Sequence, residues 1–203
     1  MSSQKSTAAP VAPKRQRGRD RVAAIMDAAA IVFAEKGYDL ATMTEIAAQA
    51  DTAIGSLYRF FPTKEALADA FVIGYGAHFL NALDEIEAEA GRLSPAALAG
   101  ALIDVMLGLR AERAAAIALI NARSNAAAEM RSTFGAAVRG RIVAILTASA
   151  GPLPSAKGEA AATLLLHVLK SLPALVREDL KETADVLGEA RALVGDYISS
   201  LGR

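Results

Sequence analysis

From residue 14 to the C-terminus, apolar positions recur every three or four residues, and no segment alternates as a half-buried strand does. The pattern predicts an all-α chain of about nine helices. Val22, Ile25, Met26, Ala29, Val32 and Phe33 form one apolar face of a first helix. Lys36-Gly37 closes that helix, a basic last turn followed by a residue suited to the left-handed C′ position. Thr42-x-x-Glu45 then reads as a capping box: the hydroxyl accepts from the Glu45 amide, and the carboxylate reaches back to the Thr42 amide. The short helix it starts turns Ile46, Ala47 and Ala50 inward. Asp51-Thr52 breaks that helix, and another is expected from about Ala53 to Phe61.

Pro62-Thr63 ends the third helix and caps a fourth, which starts at Lys64 and is expected to continue toward Ala90. Longer helices rich in Ala and Leu are expected at about 94–109, 111–123, 126–149, 157–178 and 181–201. Gly151-Pro152-Leu153-Pro154 marks the clearest loop. Pro173 falls inside the penultimate helix and is expected to kink it. Residues 1–13 are small and polar with two prolines, and read as a disordered tail. The pattern divides the remainder into an N-terminal three-helix helix-turn-helix domain at 14–66 and a C-terminal helical bundle at 67–203.

Charge alters this picture only through its distribution. The 203-residue chain is formally neutral, yet residues 1–64 carry 9 Lys/Arg against 6 Asp/Glu, and the remainder carries 13 against 16. Lys14, Arg15, Arg17, Arg19 and Arg21 make a basic arm just ahead of the first helix face, as suits a polyanionic partner. The absence of cysteine excludes disulfides and thiolate metal sites. The first residues lack the apolar core of a signal peptide, and uncharged stretches stop short of the ~18–20 residues of a membrane span. A soluble cytoplasmic protein without a membrane partner is expected.

Two short helices joined by a tight turn, after a longer supporting helix, suit docking of the second short helix in a major groove. Gly37-Tyr38, Thr42-x-x-x-Ile46-Ala47, Gly55-x-Leu57-Tyr58-x-x-Phe61 and Lys64-Glu65-x-Leu67 together resemble the DNA-binding signature of the TetR family. With helix one, these positions span about a quarter of the chain. The family usually shows Ala-Gly-Val-Ser through the turn, whereas this chain has Ala50-Asp51-Thr52-Ala53. Asp tolerates left-handed backbone, so the turn is expected to survive, with Thr52 the alternative cap for the usual Ser.

The resemblance implies a dimeric transcriptional regulator, most simply a repressor of a near-palindromic operator that a small effector releases. Thr42, Ser56, Tyr58 and Lys64 are the expected phosphate contacts, since their groups suit oxygen acceptors without reading bases. Thr44, Ile54, Gly55 and Arg59 are the expected base-edge positions. Ile54 suits a thymine methyl, Gly55 lets the backbone approach, and Arg59 suits either guanine or a phosphate.

Two other classes compete with this reading. A helical enzyme finds little support: His78 and His167 are the only histidines, neither has metal-ligand spacing, and no Gly-rich phosphate loop or nucleophile elbow occurs. No cofactor, metal or catalytic residue is expected. An architectural DNA binder would not need so large a C-terminal region. By the family resemblance, that region supplies the dimer interface and the effector cavity. Leu165, Val168 and Leu172, with Leu187, Leu193, Val194, Tyr197 and Ile198, form apolar stripes suited to an isologous four-helix contact. Tyr75, His78, Met106, Asn121, Arg123, Phe134 and His167 punctuate an otherwise apolar stretch and are the expected pocket residues, for a mainly hydrophobic or aromatic effector.

Overall fold

The computed structural model describes residues 16–122, 127–177 and 183–202, with backbone alone at 127–130 and 177. The expected tail at 1–13 and the side chains of Lys14, Arg15 and Arg123 lie outside the described residues. Among the described residues there are nine helices and no strand: α1 Gln16–Leu40, α2 Met43–Gln49, α3 Ile54–Phe60, α4 Lys64–Ala90, α5 Pro95–Gly108, α6 Arg110–Ala122, α7 Ala127–Ala150, α8 Ser155–Arg177 and α9 Thr183–Leu201. α8 runs through Pro173 to Arg177.

Local chemistry explains most boundaries. At α2 the capping box is complete: Thr42 Oγ1 accepts from the Glu45 amide at 3.2 Å, and Glu45 Oε2 accepts from the Thr42 amide at 3.1 Å. Thr63 Oγ1 accepts from the Ala66 amide at 3.1 Å to start α4, and Ser94 Oγ accepts from Ala97 at 3.2 Å to start α5. Each such cap stabilises by about 1 kcal/mol. Asp51 does adopt positive φ, 46°, which sharpens the turn between α2 and α3. Thr52 does not serve as the cap. α3 begins after Ala53, whose side chain has no oxygen to offer, so its first amides are left to solvent or to a ligand.

Two cores form. The N-terminal one gathers Ile25 and Phe33 of α1, Ile46 of α2, Leu57 of α3 and Phe61, as the apolar spacing predicts. It also takes Leu67, Ala68 and Phe71 from α4, and Ala115, Ala116 and Leu119 from α6. The core of the N-terminal helices is therefore completed by helices that lie beyond residue 66. The second core joins Phe79, Leu83 and Ile86 of α4 to Leu102, Ile103, Ile145, Leu165, Leu169, Val194 and Ile198. α9 lies so close to α5 that a Cβ on Gly195 would stand 3.2 Å from Ala96 Cα. Surface ion pairs tie the bundle: Arg191 with Asp104 at 2.7 Å, Arg139 with Glu159 at 3.5 Å, and Arg141 with Asp84. α4 and residues 155–176 are long and apolar enough to cross a membrane by length and composition, and both contribute to these cores.

The interface stripes need correction. Leu165, Leu172, Val194 and Ile198 are buried within their own subunit, because they fill the second core, so no partner can reach them. Val168, Leu187 and Tyr197 are half-buried. Leu193 alone of the eight is fully exposed, at 62%, and on α8 it is Leu164, one residue from Leu165, that faces outward at 51%.

Gly37 has φ 72° and ψ 179°. That conformation belongs to the mirror-β region, which is open to glycine alone, and differs from the left-handed helical region that asparagine tolerates. Gly37→Ala and Gly37→Asn should therefore destabilise alike, by about 1–3 kcal/mol, in chemical denaturation. Asp51→Gly should be neutral or stabilising at its ordinary left-handed φ. If Gly37→Asn matched the wild type, the backbone at Gly37 would have to be left-handed helical instead.

Candidate functional site

The outer surface of the α2-turn-α3 unit presents Thr44, Ile54, Gly55, Tyr58 and Arg59, all exposed. Leu57 explains the orientation of two of them: it is fully buried in the N-terminal core, so Tyr58 and Arg59, about 100° and 200° further round α3, turn outward. Ile54 at 39% and Tyr58 at 47% are large apolar bodies left in solvent, an arrangement with no packing purpose inside one subunit. The Arg59 guanidinium rests over the Phe60 ring, 5.0 Å from its centroid, leaving its donors free to face outward.

Arg17, Arg19 and Arg21 belong to the first turns of α1 and not to an extended arm. Arg21 Nη1 donates to Ser56 Oγ at 3.5 Å, so it stands beside α3, and Arg17, one helical turn earlier, shares its face. Arg19 points elsewhere and donates to Gln16 Oε1 at 2.8 Å.

Two of the expected phosphate contacts are already engaged. Thr42 Oγ1 accepts from the Glu45 amide and donates to Glu45 Oε2 at 2.9 Å, so its hydroxyl is used up in capping α2. Lys64 is more tightly held. Its ammonium donates to the carbonyls of Tyr38 at 2.8 Å, Ala41 at 3.0 Å and Asp39 at 3.3 Å, which accounts for all three protons. It also lies 4.5 Å from the centre of the Tyr38 ring, while the Tyr38 hydroxyl donates to Glu65 Oε1 at 3.0 Å. The Glu65 carboxyl is held below the usual range, first by its own backbone amide and then by that hydroxyl. The start of α4 is thus latched onto the exit of α1.

A second feature lies in the bundle. A cavity of about 440 Å³ is walled by Val72, Ile73, Tyr75, Gly76 and Ala77 of α4, Arg113, Ala116, Ile117, Ile120 and Asn121 of α6, Arg131, Phe134 and Gly135 of α7, and Lys170 of α8. Tyr75 and Phe134 give it an aromatic side, backed by Phe79 of the second core, the three ring centroids lying 6.0–6.1 Å apart. Burial pushes the Tyr75 phenol up to about 12, so it remains a hydrogen-bond donor at neutral pH. Of the seven expected pocket residues, Tyr75, Asn121 and Phe134 line this cavity. Met106 does not: it is packed in the second core. His78 and His167 do not either, being exposed on the outside of α4 and α8, and His167 Nδ1 pairs with the Thr163 carbonyl at 2.8 Å. Arg113, Arg131 and Lys170 were missed, because a cation on an Ala-rich helix has the same sequence appearance whether it faces solvent or a cavity. Among the described residues, no three His, Asp or Glu side chains gather as a metal site.

Comparison with known proteins agrees with this geometry. Residues 25–71 match the family model for bacterial regulatory proteins of the tetR family. The HTH-type transcriptional repressor KstR of Mycolicibacterium smegmatis is 38% identical over 82 residues, 40% of this chain and 35% of that repressor's length. Among solved structures, a tetR-family regulatory protein from Rhodococcus RHA1 superposes with a TM-score of 0.65 at 21% identity, covering 90% of this chain and 97% of the other. SmeT, in its triclosan complex, gives 0.60 at 20% identity, over 86% and 89% of the two chains. Residues 25–71 are thus similar to the DNA-binding region of TetR-family transcriptional regulators, and the described residues share the fold of such regulators.

Glu45 offers a test of the frame that holds α2. Lys36 Nζ donates to Glu45 Oε1 at 2.6 Å, and this bond, followed by that from Thr42, holds the carboxyl below the usual range. A carboxyl depressed in the folded state stabilises above its unfolded pKa, and that contribution disappears as pH falls through the folded value. Glu45→Gln should therefore lower the melting temperature at pH 7, and the difference from wild type should shrink only below about pH 4.5. A difference that is constant from pH 7 to pH 2 would mean that the charge of Glu45 contributes nothing.

Proposed function

We propose that this chain is a cytoplasmic repressor that binds a near-palindromic operator as a homodimer and leaves it when a small molecule fills the α4–α6–α7 cavity. The observation that carries the reading is the outward cluster of Thr44, Ile54, Gly55, Tyr58 and Arg59 on a rigidly latched two-helix unit. Residues up to 66 hold the reading surface, and the remainder holds the cavity and the dimer face. Tyr58, Ser56, Arg17 and Arg21 grip phosphates. Thr44, Ile54, Gly55 and Arg59 meet base edges. Lys64 and Thr42 position the unit without touching DNA. The fold of SmeT accommodates triclosan, which supports a small-molecule role for the cavity in the same fold.

α6 supports a route for release. One face, through Ala115, Ala116 and Leu119, is part of the N-terminal core, and α1 packs on α6 more extensively than on any other helix. Its other face, through Ile117, Ile120 and Asn121, walls the cavity. A ligand that moves α6 moves α1 with it. To reverse a 99:1 preference it must favour the DNA-incompetent arrangement ~10⁴-fold, about 5.5 kcal/mol.

The reading is tested on operator DNA recovered by selecting bound fragments from a random pool. Arg17→Gln and Arg21→Gln should each lower the salt dependence of binding by about one counterion. Ile54→Ala should change the preferred base at one position of each half-site. Lys64→Ala should cost about 1.5–3 kcal/mol of stability and weaken DNA binding without altering the salt slope, because its charge serves carbonyls. A Lys64→Ala protein of unchanged stability with a slope reduced by one would place the ammonium on a phosphate. Selection that returns no preferred sequence would reject the operator reading altogether.

The dimer is assigned to the exposed faces of α8 and α9, where Leu164 and Leu193 stand among small residues, Ala160, Ala174, Gly188 and Ala192. Small neighbours let helices approach closely about a two-fold axis. Leu164→Asp and Leu193→Asp should each shift sedimentation from dimer to monomer at micromolar concentration, while helical content stays unchanged. A wild-type protein that sediments as a monomer would exclude the arrangement.

A further inference from the structure

The cavity is apolar along its length but carries three cations and no carboxylate: Arg113, Arg131 and Lys170 line it, and neither Asp nor Glu does. Arg131 donates through one nitrogen to Asn121 Oδ1 at 2.9 Å, which fixes its side chain beside the cavity and leaves other donors available. Arg113 and Lys170 have no ion pair or hydrogen bond among the described residues. Elsewhere on this chain, Arg139, Arg141 and Arg191 are each paired with an acid on a neighbouring helix. Both unpaired cations also line an adjoining depression between α1, α6 and α8, where Glu35 and Arg110 sit. Glu35 lies on the depression's wall and not on the cavity's, and Glu112, whose charge reaches the Tyr75 phenol, stands beside Arg113 on α6 without lining the cavity. Lys170 feels the mismatch: partial burial, with the charges of Arg113 and Arg139, holds its ammonium below the usual range. Like charges brought together on a desolvating apolar surface repel, and an anion placed between them removes the repulsion.

We infer that the effector is an amphipathic anion, an apolar body with a single carboxylate, whose chain or ring fills the space beside Ile117, Ile120 and Phe134 while Arg113 and Lys170 hold the carboxylate at the α6–α8 end. The inference deepens the effector reading above and rests on that cavity being the effector site. Arg113 offers a planar fork that matches a carboxylate in two parallel hydrogen bonds. Lys170, at the exposed rim, adds a point charge, and the Tyr75 hydroxyl adds a neutral donor from α4. The specificity follows from what a neutral ligand would leave behind. It would fill the same apolar volume and leave two cations repelling each other across it.

The test compares decanoate, decanol and decyl phosphate, which share one apolar body, by calorimetric titration of the full chain. Decanoate should bind at least about tenfold more tightly than decanol, the range a hydrogen bond to a charged group supplies. Arg113→Gln and Lys170→Gln should each remove most of that advantage and leave decanol binding unchanged. The unchanged decanol binding also shows that each variant remains folded around its cavity. Equal binding of acid and alcohol, with both lost in Ile120→Asp, would overturn the anion inference and leave the cavity reading standing. No binding of any of the three would overturn both. Decyl phosphate binding in place of decanoate would overturn the carboxylate assignment.

Discussion

The position of the reading surface depends on one ammonium group. Gly37 kinks α1 near its end in a conformation only glycine adopts, and the carbonyls of Tyr38, Asp39 and Ala41 then face a single point. Those carbonyls follow the C-terminal end of a helix, where partial negative charge accumulates, so a cation there is stabilised by charge as well as by hydrogen bonds. Lys64 fills that point, and the Tyr38 ring covers one side of it. Since Lys64 is the first residue of α4, the latch fixes the angle between the helix that supports the reading unit and the helix that leaves it. Replacing the ammonium by any apolar group would leave three acceptors with water as their only partner.

The same latch explains why positions far apart in the sequence form one recognisable signature. Gly37-Tyr38 and Lys64-Glu65 touch each other, through the ammonium on one side and the phenol-to-carboxylate bond on the other. Thr42 and Glu45 lie between them, and Glu45 is bound in turn to Lys36 at the end of α1. The pattern therefore records a closed network of caps around one helix exit. The remaining exposed positions, on the outward side of α2 and α3, take no part in that network.

The helices were legible because caps, glycine and apolar period all agree at their ends. The capping box, Thr63, Ser94 and the Gly151 loop fall where the residues say they should. Exposure was legible where it follows from a single buried neighbour, as burial of Leu57 turns Tyr58 outward. It was not legible where an apolar period serves more than one purpose. Leu164 and Leu165 are adjacent and chemically identical, yet helical geometry separates them by about 100°, so that one fills the core and the other faces solvent. Polarity misled in the opposite direction. Thr42 and Lys64 suit phosphate by chemistry, but backbone acceptors and donors nearer in space took them first. His78 and His167 punctuate an apolar stretch, but a polar residue in such a stretch has the same sequence appearance whether it faces a cavity or solvent.

α4 then becomes the element through which the parts communicate. Its first eight residues contribute to the N-terminal core, residues 72–77 wall the cavity, and residues 79–90 belong to the second core. At 1.5 Å per residue, the cavity lies roughly 15 Å from the latch at Lys64. A tilt of about 5° at the cavity would therefore move the latch, and the unit it holds, by roughly 1 Å. Such a shift is small for packed helices but large for hydrogen bonds to phosphates, which weaken steeply with distance and angle. Because α6 joins the same cavity to α1, the N-terminal unit is held at two points. A ligand that shifts both walls rotates that unit as a body, whereas one that shifts α4 alone must strain the contact between α1 and α6. The geometry thus couples the N-terminal unit to both walls of the cavity at once.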